Sequence, residues 1–549
     1  MNKWLLIVFA VLFAQPTFGQ LFSNKTFTRQ DTLRGSITPE REWWDLKYYE
    51  LSVKVEPDKQ FISGENIVTY EVISEHDIMQ IDLQPPMVID AVTQNKKPLE
   101  YTRDGNVYLV KIPEKQAVGS SNQLSISFSG APRVAKNAPW DGGFSWDKDD
   151  NGNHFVATSC QGLGASVWWP CKDHMYDEPE DGMLIHVNVP DNLIGVANGR
   201  LIKEKKGKDK THTFTWKVVN PINNYGVNVN IADYVRFSEV YDGEKGPLDM
   251  DYWVLSYNLE LAKEHFKDAV KSIEAFEHWF GPYPFYEDSY KLVEVPYLGM
   301  EHQSSVTYGN KYKKGYLGND LSRTGWGLEW DYIIIHETGH EWFANSITYV
   351  DIADMWIHEG FTTYSESLFV EYFHGKEAGA EYTRGTRMSI SNTQPIIGQY
   401  FVNAEGSGDM YAKGNNLLHT LRQVINDDEK WRQMLRGLNE EFYHKTVTTA
   451  QVEEYMAKSL DLDLETFFNQ YLRDNRIPVF EYWVMDGRLA YRWSNCVRGF
   501  NMPLKIYLNG KETWITPSRR PQVLEIEDDN LEVKVDPDFY VYSLNTMGN

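Results

Sequence analysis

Cysteine is the scarcest chemically active residue here, with three in 549 residues, Cys160, Cys171 and Cys496. An odd count leaves at least one thiol unpaired, and the spacings match no thiolate zinc motif. Cys160 and Cys171 are near enough in sequence to bridge, yet a chain of this length has no need of such a staple. Basic residues are also in deficit: 54 Lys and Arg against 78 Asp and Glu leave a net charge of −24 and a pI near 5.1. That balance excludes a nucleic-acid surface, which requires clustered positive charge. Beyond the first twenty residues no apolar run approaches bilayer length, so no transmembrane segment is expected. No internal repeat or low-complexity stretch is evident.

The opening residues are of another kind. Lys3, the apolar stretch Trp4 to Ala14 and the small Thr17 and Gly19 read as a signal peptide, 1–19, cut after Gly19. No cysteine follows the apolar core, which argues against a lipid anchor. The expectation is a soluble, exported protein, periplasmic or secreted.

What is abundant is core material: 18 Trp, 33 Tyr and 26 Phe within 42% hydrophobic content. At this length two to four domains are expected. Residues 20–242 read mainly as strands of an antiparallel β domain. "YELSVKV" puts Leu51, Val53 and Val55 on one face, "QLSISFS" does so with Leu124, Ile126 and Phe128, and Asp104-Gly105-Asn106 marks a turn. From Leu259 to Phe280 the period becomes helical, ending at Gly281-Pro282, and helical patterns dominate 243–475. Alternation returns in 476–549, with Asp486-Gly487 as a hairpin turn, which suggests a small β-sandwich. The class is therefore multidomain α+β.

"IIIHETGHEWF", residues 333–343, places His336 and His340 four apart with Glu337 directly after the first. On a helix both imidazoles share a face, the H-E-x-x-H zinc arrangement with Glu337 as base toward water. A hydrolytic zinc needs a third protein ligand. The metzincin route is closed, because Phe343 and Ser346 stand where its glycine and third histidine belong. Glu359, in "MWIHEGFTTYSES", follows His340 after eighteen residues, and a second helix returning antiparallel would bring it to the metal. Glu366 lies two turns further along the same face. "DKDDNG", Asp147 to Gly152, begins like a calcium loop, but its twelfth position is Thr158, so a hairpin turn is favoured.

"HETGH", eighteen residues, then "HEGF" resembles the zinc signature of the aminopeptidase N family, which includes the leukotriene hydrolases. His358 stands where that family has asparagine. "PYLGMEHQ" resembles the family's G-x-M-E-N motif, so Gly299, Met300, Glu301 and His302 are expected at the substrate, with Glu301 holding its α-amine. Leu298 and His302 depart from the pattern. In "CQGLGASVWWPC" Gln161 matches a second amine contact, and "MYAKG" matches the tyrosine that stabilises the oxyanion, Tyr411. Glu366 takes the place of a glutamate that orients a metal-bound histidine. The resemblance implies one zinc ion on His336, His340 and Glu359, and peptides with a free N-terminus as substrates. It also implies a thermolysin-like catalytic domain and an immunoglobulin-like β-sandwich; many relatives add a C-terminal helical domain, and none is expected in this chain, which stops at Asn549. Rival readings are an endopeptidase or epoxide hydrolase on the same zinc site, or a degenerate zincin that only binds peptides.

Overall fold

A computed structural model describes residues 26–526 and 531–546; the signal-peptide expectation lies outside them. The strand Trp44–Glu56 buries Leu51, Val53 and Val55, as period-two alternation requires, and pairs antiparallel with Phe61–Val72. Its other edge pairs parallel with Met183–Pro190. The β unit is therefore mixed rather than purely antiparallel: the return from that edge runs through a second sheet before the chain rejoins the first. That second, four-stranded sheet includes the hairpin Gly143–Lys148 and His154–Ser159. Asp149 closes the turn of this hairpin, its Oδ1 accepting from the N–H groups of Asn151 and Asn153. The chain leaves His154–Ser159 directly into the loop that carries Gln161. Cys160 and Cys171 are both free, fully buried thiols.

The central unit begins with the hairpin Tyr234–Gly243 and Gly246–Leu255, so residues from 234 onward belong to its sheet. Tyr290–Glu294, Val306–Tyr308 and the short edge strand Gly299–Met300 complete five strands. The helical period over 259–280 is realised as two helices, Leu259–His265 and Lys267–Phe280, because the chain leaves helical geometry at the buried Phe266. The histidine helix Tyr332–Gly339 lies against this sheet, the glutamate helix Trp356–His374 packs on the histidine helix, and the tyrosine helix Ala412–Ile425 packs on the glutamate helix. No helix of the described residues is long and apolar enough to cross a membrane.

Beyond Pro478 the chain forms sheets of four and three strands, with Phe480, Trp493, Leu504 and Ile506 buried among them. Asp486 and Gly487 both take positive φ, 53° and 70°, as a two-residue hairpin turn demands. The unit is tied back to the tyrosine helix: Tyr540 N–H donates to Thr420 Oγ1 at 2.9 Å, and Asp538 pairs with Arg384 and His419.

Candidate metal centre and cleft

The histidine helix is short and capped. Asp331 accepts from the N–H groups of Ile333 and Ile334, at 2.9 and 3.2 Å, satisfying two of the donors a helix start leaves free. Its carboxylate also accepts from Tyr308 at 2.8 Å and Asn310 at 3.0 Å, fixing the helix to the sheet. Gly339, its last residue, is a glycine for a packing reason. A Cβ there would stand 2.5 Å from Ser365 Oγ, so the absence of a side chain lets the glutamate helix approach closely. Glu359 lies in that helix's first turn, where the helix dipole favours an anion.

The approach brings Glu359 Oε2 to 3.6 Å from His336 Nε2 and 3.4 Å from His340 Nε2. These three donor atoms lie within 4.8 Å of one another, and all three residues are buried. Glu359 Oε2 is a buried oxygen with no hydrogen-bond partner, an expensive state for a carboxylate unless a cation meets it. Each imidazole has its far nitrogen engaged. His336 Nδ1 lies 2.7 Å from Glu366 Oε1, and Tyr382 donates to the other Glu366 oxygen at 2.7 Å. His340 Nδ1 lies 3.0 Å from Phe343 O and 3.0 Å from Thr362 Oγ1. An Nδ1–H held by acceptors leaves each Nε2 lone pair aimed inward, as metal ligation requires. Two imidazole nitrogens and one carboxylate oxygen with a free side toward a cleft suit a single zinc ion.

The electrostatics carry the same message. Against the cost of burial, His340 and His336 hold the Glu359 carboxyl well below its usual range, and burial is likewise overcome at His340, whose neighbour Glu359 lifts it to about 9. A dication between them would let both imidazoles ligate as neutral groups. Burial raises the Glu337 carboxyl to about 7; the His336 charge pulls it down and Glu301 pushes it up. Burial, together with Glu359 and Glu301, raises the Tyr411 phenol well above its ordinary value, so it stays protonated.

The cleft in front of these groups holds about 310 Å³. One wall is the edge strand Gly299–Met300 leading into Glu301. Gly299 is needed by the helix behind it, since a Cβ would meet Ile333 Cγ2 at 2.4 Å. Asn345 Nδ2 donates to Glu301 O at 2.9 Å, and Glu341 accepts from Ser304 N–H at 2.9 Å and Tyr283 at 3.0 Å, fixing the loop beyond. From the opposite unit Gln161 Nε2 donates to Glu301 Oε1 at 2.6 Å and to Glu359 Oε1 at 3.0 Å. Tyr411 sits at the start of the tyrosine helix, its ring 6.2 Å from that of His336. Gly414, one turn on, lets this helix touch the glutamate helix, for its Cβ would stand 2.6 Å from Gly360 Cα.

His302 is the expected substrate residue that the structure does not bring to the cleft. Its side chain is fully buried, Nδ1 lies 3.2 Å from Thr307 Oγ1, and burial drops the imidazole to about 3. The physical reason is local: the backbone turns immediately after Glu301, where His302 N–H donates to Met300 O. His358 also faces away, accepting from Tyr349 N–H through Nε2 at 3.0 Å and stacking on that ring. Sequence reasoning missed Tyr382, Thr362 and the cleft-lining Trp140, Tyr316, Tyr332 and Glu405. Tyr332, four residues before His336, and Thr362, three after Glu359 and four before Glu366, carried a signal that helical spacing reveals.

A family model described as the peptidase family M1 domain matches residues 264–471, and one described as the peptidase M1 N-terminal domain matches 46–225. The chain belongs to the M1 peptidase family. Aminopeptidase B of Mus musculus is 24% identical over 318 residues, covering 55% of this chain and 45% of that protein. Aminopeptidase N of Lactobacillus helveticus is 22% identical, covering 81% and 52%, and leukotriene A-4 hydrolase of Xenopus laevis is 23% identical, covering 55% and 49%. The chain thus spans about half the length of these relatives. In fold it is similar to an M1 zinc metallopeptidase mutant from Deinococcus radiodurans solved bound to a Tyr-Ser-Ala substrate, with TM-score 0.66, 18% identity, and 80% and 96% of the two chains covered.

Proposed function

We propose that this protein is a zinc aminopeptidase that removes the first residue from peptides with a free N-terminus. The observation that carries the reading is the convergence of His336, His340 and Glu359 in one cleft with Glu301 and Gln161. When bound, zinc supplies Lewis acidity toward the first peptide carbonyl and makes water a nucleophile at neutral pH. Glu301 takes the substrate ammonium as a charge-assisted pair, and Gln161, held beside Glu301, supplies the second contact through its side-chain oxygen. Fixing the amine fixes the distance to the scissile bond, which confines cleavage to one residue. The Glu337 carboxylate accepts the proton of the attacking water and passes it to the leaving nitrogen, work suited to a carboxyl whose burial lifts it toward neutrality. The Tyr411 hydroxyl donates to the carbonyl oxygen as charge builds there. Gly299 and Met300, on a sheet edge, offer backbone groups to an extended peptide. Glu366 holds His336 in its ligating tautomer. The leader-like first nineteen residues support export to the periplasm or medium.

The test is hydrolysis of an aminoacyl-amide panel, in free and N-acetylated forms, with chelator and with zinc restored. Turnover of free-amine substrates only, lost to the chelator and recovered with zinc, is the expected result. Equal rates on acetylated substrates would remove the amine role of Glu301 and favour an endopeptidase. A fully zinc-loaded protein without turnover would leave a peptide binder.

A further inference from the structure

The helix Arg29–Gly35 and the residues that follow it to Trp43 precede both regions matched by the family models. Nothing in the mechanism uses them. Their contacts, however, fall on the back of the amine-binding wall. The Arg34 guanidinium donates to the backbone carbonyl of Asp173 and pairs with its carboxylate, Nη2 to Oδ1 at 3.2 Å. That carboxylate accepts from the N–H groups of Ala165, at 3.3 Å, and Ser166, at 3.0 Å, in the single 3-10 turn Ala165–Val167 that follows the turn carrying Gln161. Gly164 leaves room for this: a Cβ would lie 2.1 Å from Arg34 Nη2. A second arginine completes the frame. Arg41, fully buried, donates to Asp82 Oδ1 at 2.7 Å, and Asp82 Oδ2 accepts from Asp173 N–H at 3.0 Å.

The same arm touches the opposite rim. Asn403 N–H donates to Asp31 O at 3.2 Å, and a Cβ on Gly35 would meet the Val402 carbonyl carbon at 2.1 Å. Asn403 then reaches across to Gly162 O at 3.3 Å, next to Gln161. Arg34, Gly35, Gln161 and Asn403 line one small cavity directly behind the glutamine. Gln161 itself lies in an irregular loop that no helix or strand holds, while its role demands placement within a few tenths of an ångström.

We propose that the N-terminal arm, residues 28–41, is a structural part of the amine-binding wall and that Arg34 is the positioning residue that holds Gln161 on Glu301. This rests on the aminopeptidase reading above. Arg34 acts through Asp173 and the Ala165–Ser166 amides; it touches neither substrate nor the metal ligands. Removing its charge loosens the loop, which then rests on Gln84 through Leu163 O at 2.7 Å and on Asp82 through Asp173 N–H, so the glutamine loses part of its aim and the substrate amine one of its two contacts. The penalty belongs in amine recognition rather than in the chemical step.

The experiment is a double-mutant cycle in the full-length zinc-loaded protein, with Arg34→Met, Gln161→Ala and the double variant, and Arg34→Lys as the conservative partner. The substrate is an aminoacyl-4-nitroanilide. Arg34→Met is expected to raise KM about tenfold or more with kcat within about threefold, Arg34→Lys to recover part of the loss, and the double variant to be no worse than Gln161→Ala alone. An unchanged KM, or a full further penalty in the Gln161→Ala background, overturns the proposal. If Arg34→Met does not fold, Arg34→Gln, which also removes the charge, carries the same cycle and the same two outcomes decide. A wild-type protein that hydrolyses no aminoacyl substrate, or acetylated ones equally well, defeats the aminopeptidase reading; an active wild type matched by its variants defeats only the role of Arg34.

Discussion

On one side of the cleft, His336, His340 and Glu359 ride on two helices whose contact is set by Gly339 against Ser365. On the other, Gln161 hangs in an irregular loop braced by Arg34, Asp173, Asp82 and Arg41. The first wall is held by regular backbone and local spacing. Its errors are small because a helix position is fixed by its neighbours one turn away. The second is held by charges drawn from segments far apart in the chain, 139 residues in the Arg34–Asp173 pair. Each of those charges is tolerated only because it is paired, so breaking one leaves its partner uncompensated. On the proposed reading, the metal centre, which must exclude alternatives, has the rigid wall, and the pocket for peptide ends has the one assembled from loops.

The largest effect tests the rigid wall itself. Glu337→Gln keeps the shape of the side chain but cannot accept a proton, so kcat is expected to fall about 10²–10⁴-fold while zinc content stays complete. The base works only when ionised, so wild-type kcat/KM rises with pH through its titration, and that acid limb should vanish in the variant. A variant with normal turnover would remove Glu337 from the chemistry and leave the helix a mere scaffold. Next in size is Glu366→Gln, which weakens the grip on His336 Nδ1–H and on Tyr382. Zinc affinity, read by competition with a chelator, is expected to drop about 10–100-fold.

How far the sequence disclosed all this follows the same division. His336, Glu337, His340 and Glu359 were legible because a helical period turns spacing into geometry, and Glu366 followed from the seven-residue step beyond Glu359. The strand faces of Leu51, Val53 and Val55 were legible for the same reason at period two. Gln161, Glu301 and Tyr411 were reached only through the family resemblance: a lone glutamine or tyrosine has no spacing to betray it. His302 shows where motif reasoning misleads, since its place in the motif, already a departure from the family's asparagine, said nothing of the turn that buries its ring. Arg34 was invisible. Its partner lies 139 residues away, and no local pattern encodes a contact of that range. The parallel pairing of Trp44–Glu56 with Met183–Pro190 escaped for the same cause.

The smallest effect sharpens the contrast within the rigid wall. The two histidines are oriented by unequal means: His336 leans on a charged carboxylate, His340 on the neutral Phe343 carbonyl and the Thr362 hydroxyl, both at 3.0 Å from Nδ1. Thr362→Val preserves the side-chain shape and deletes only the hydroxyl. Phe343 O remains as acceptor, so the His340 tautomer survives, and the hydroxyl's other partner is that same carbonyl at 3.4 Å, which keeps His340. Stability is expected to fall by about 0.5–1.5 kcal/mol, the worth of one neutral hydrogen bond. Zinc affinity should change less than about tenfold, below the range for Glu366→Gln. Calorimetry and chelator competition read both numbers. An effect on zinc as large as that of Glu366→Gln would mean that the backbone carbonyl does not hold His340 by itself, and that even the helical wall depends on a side chain brought in from the neighbouring helix.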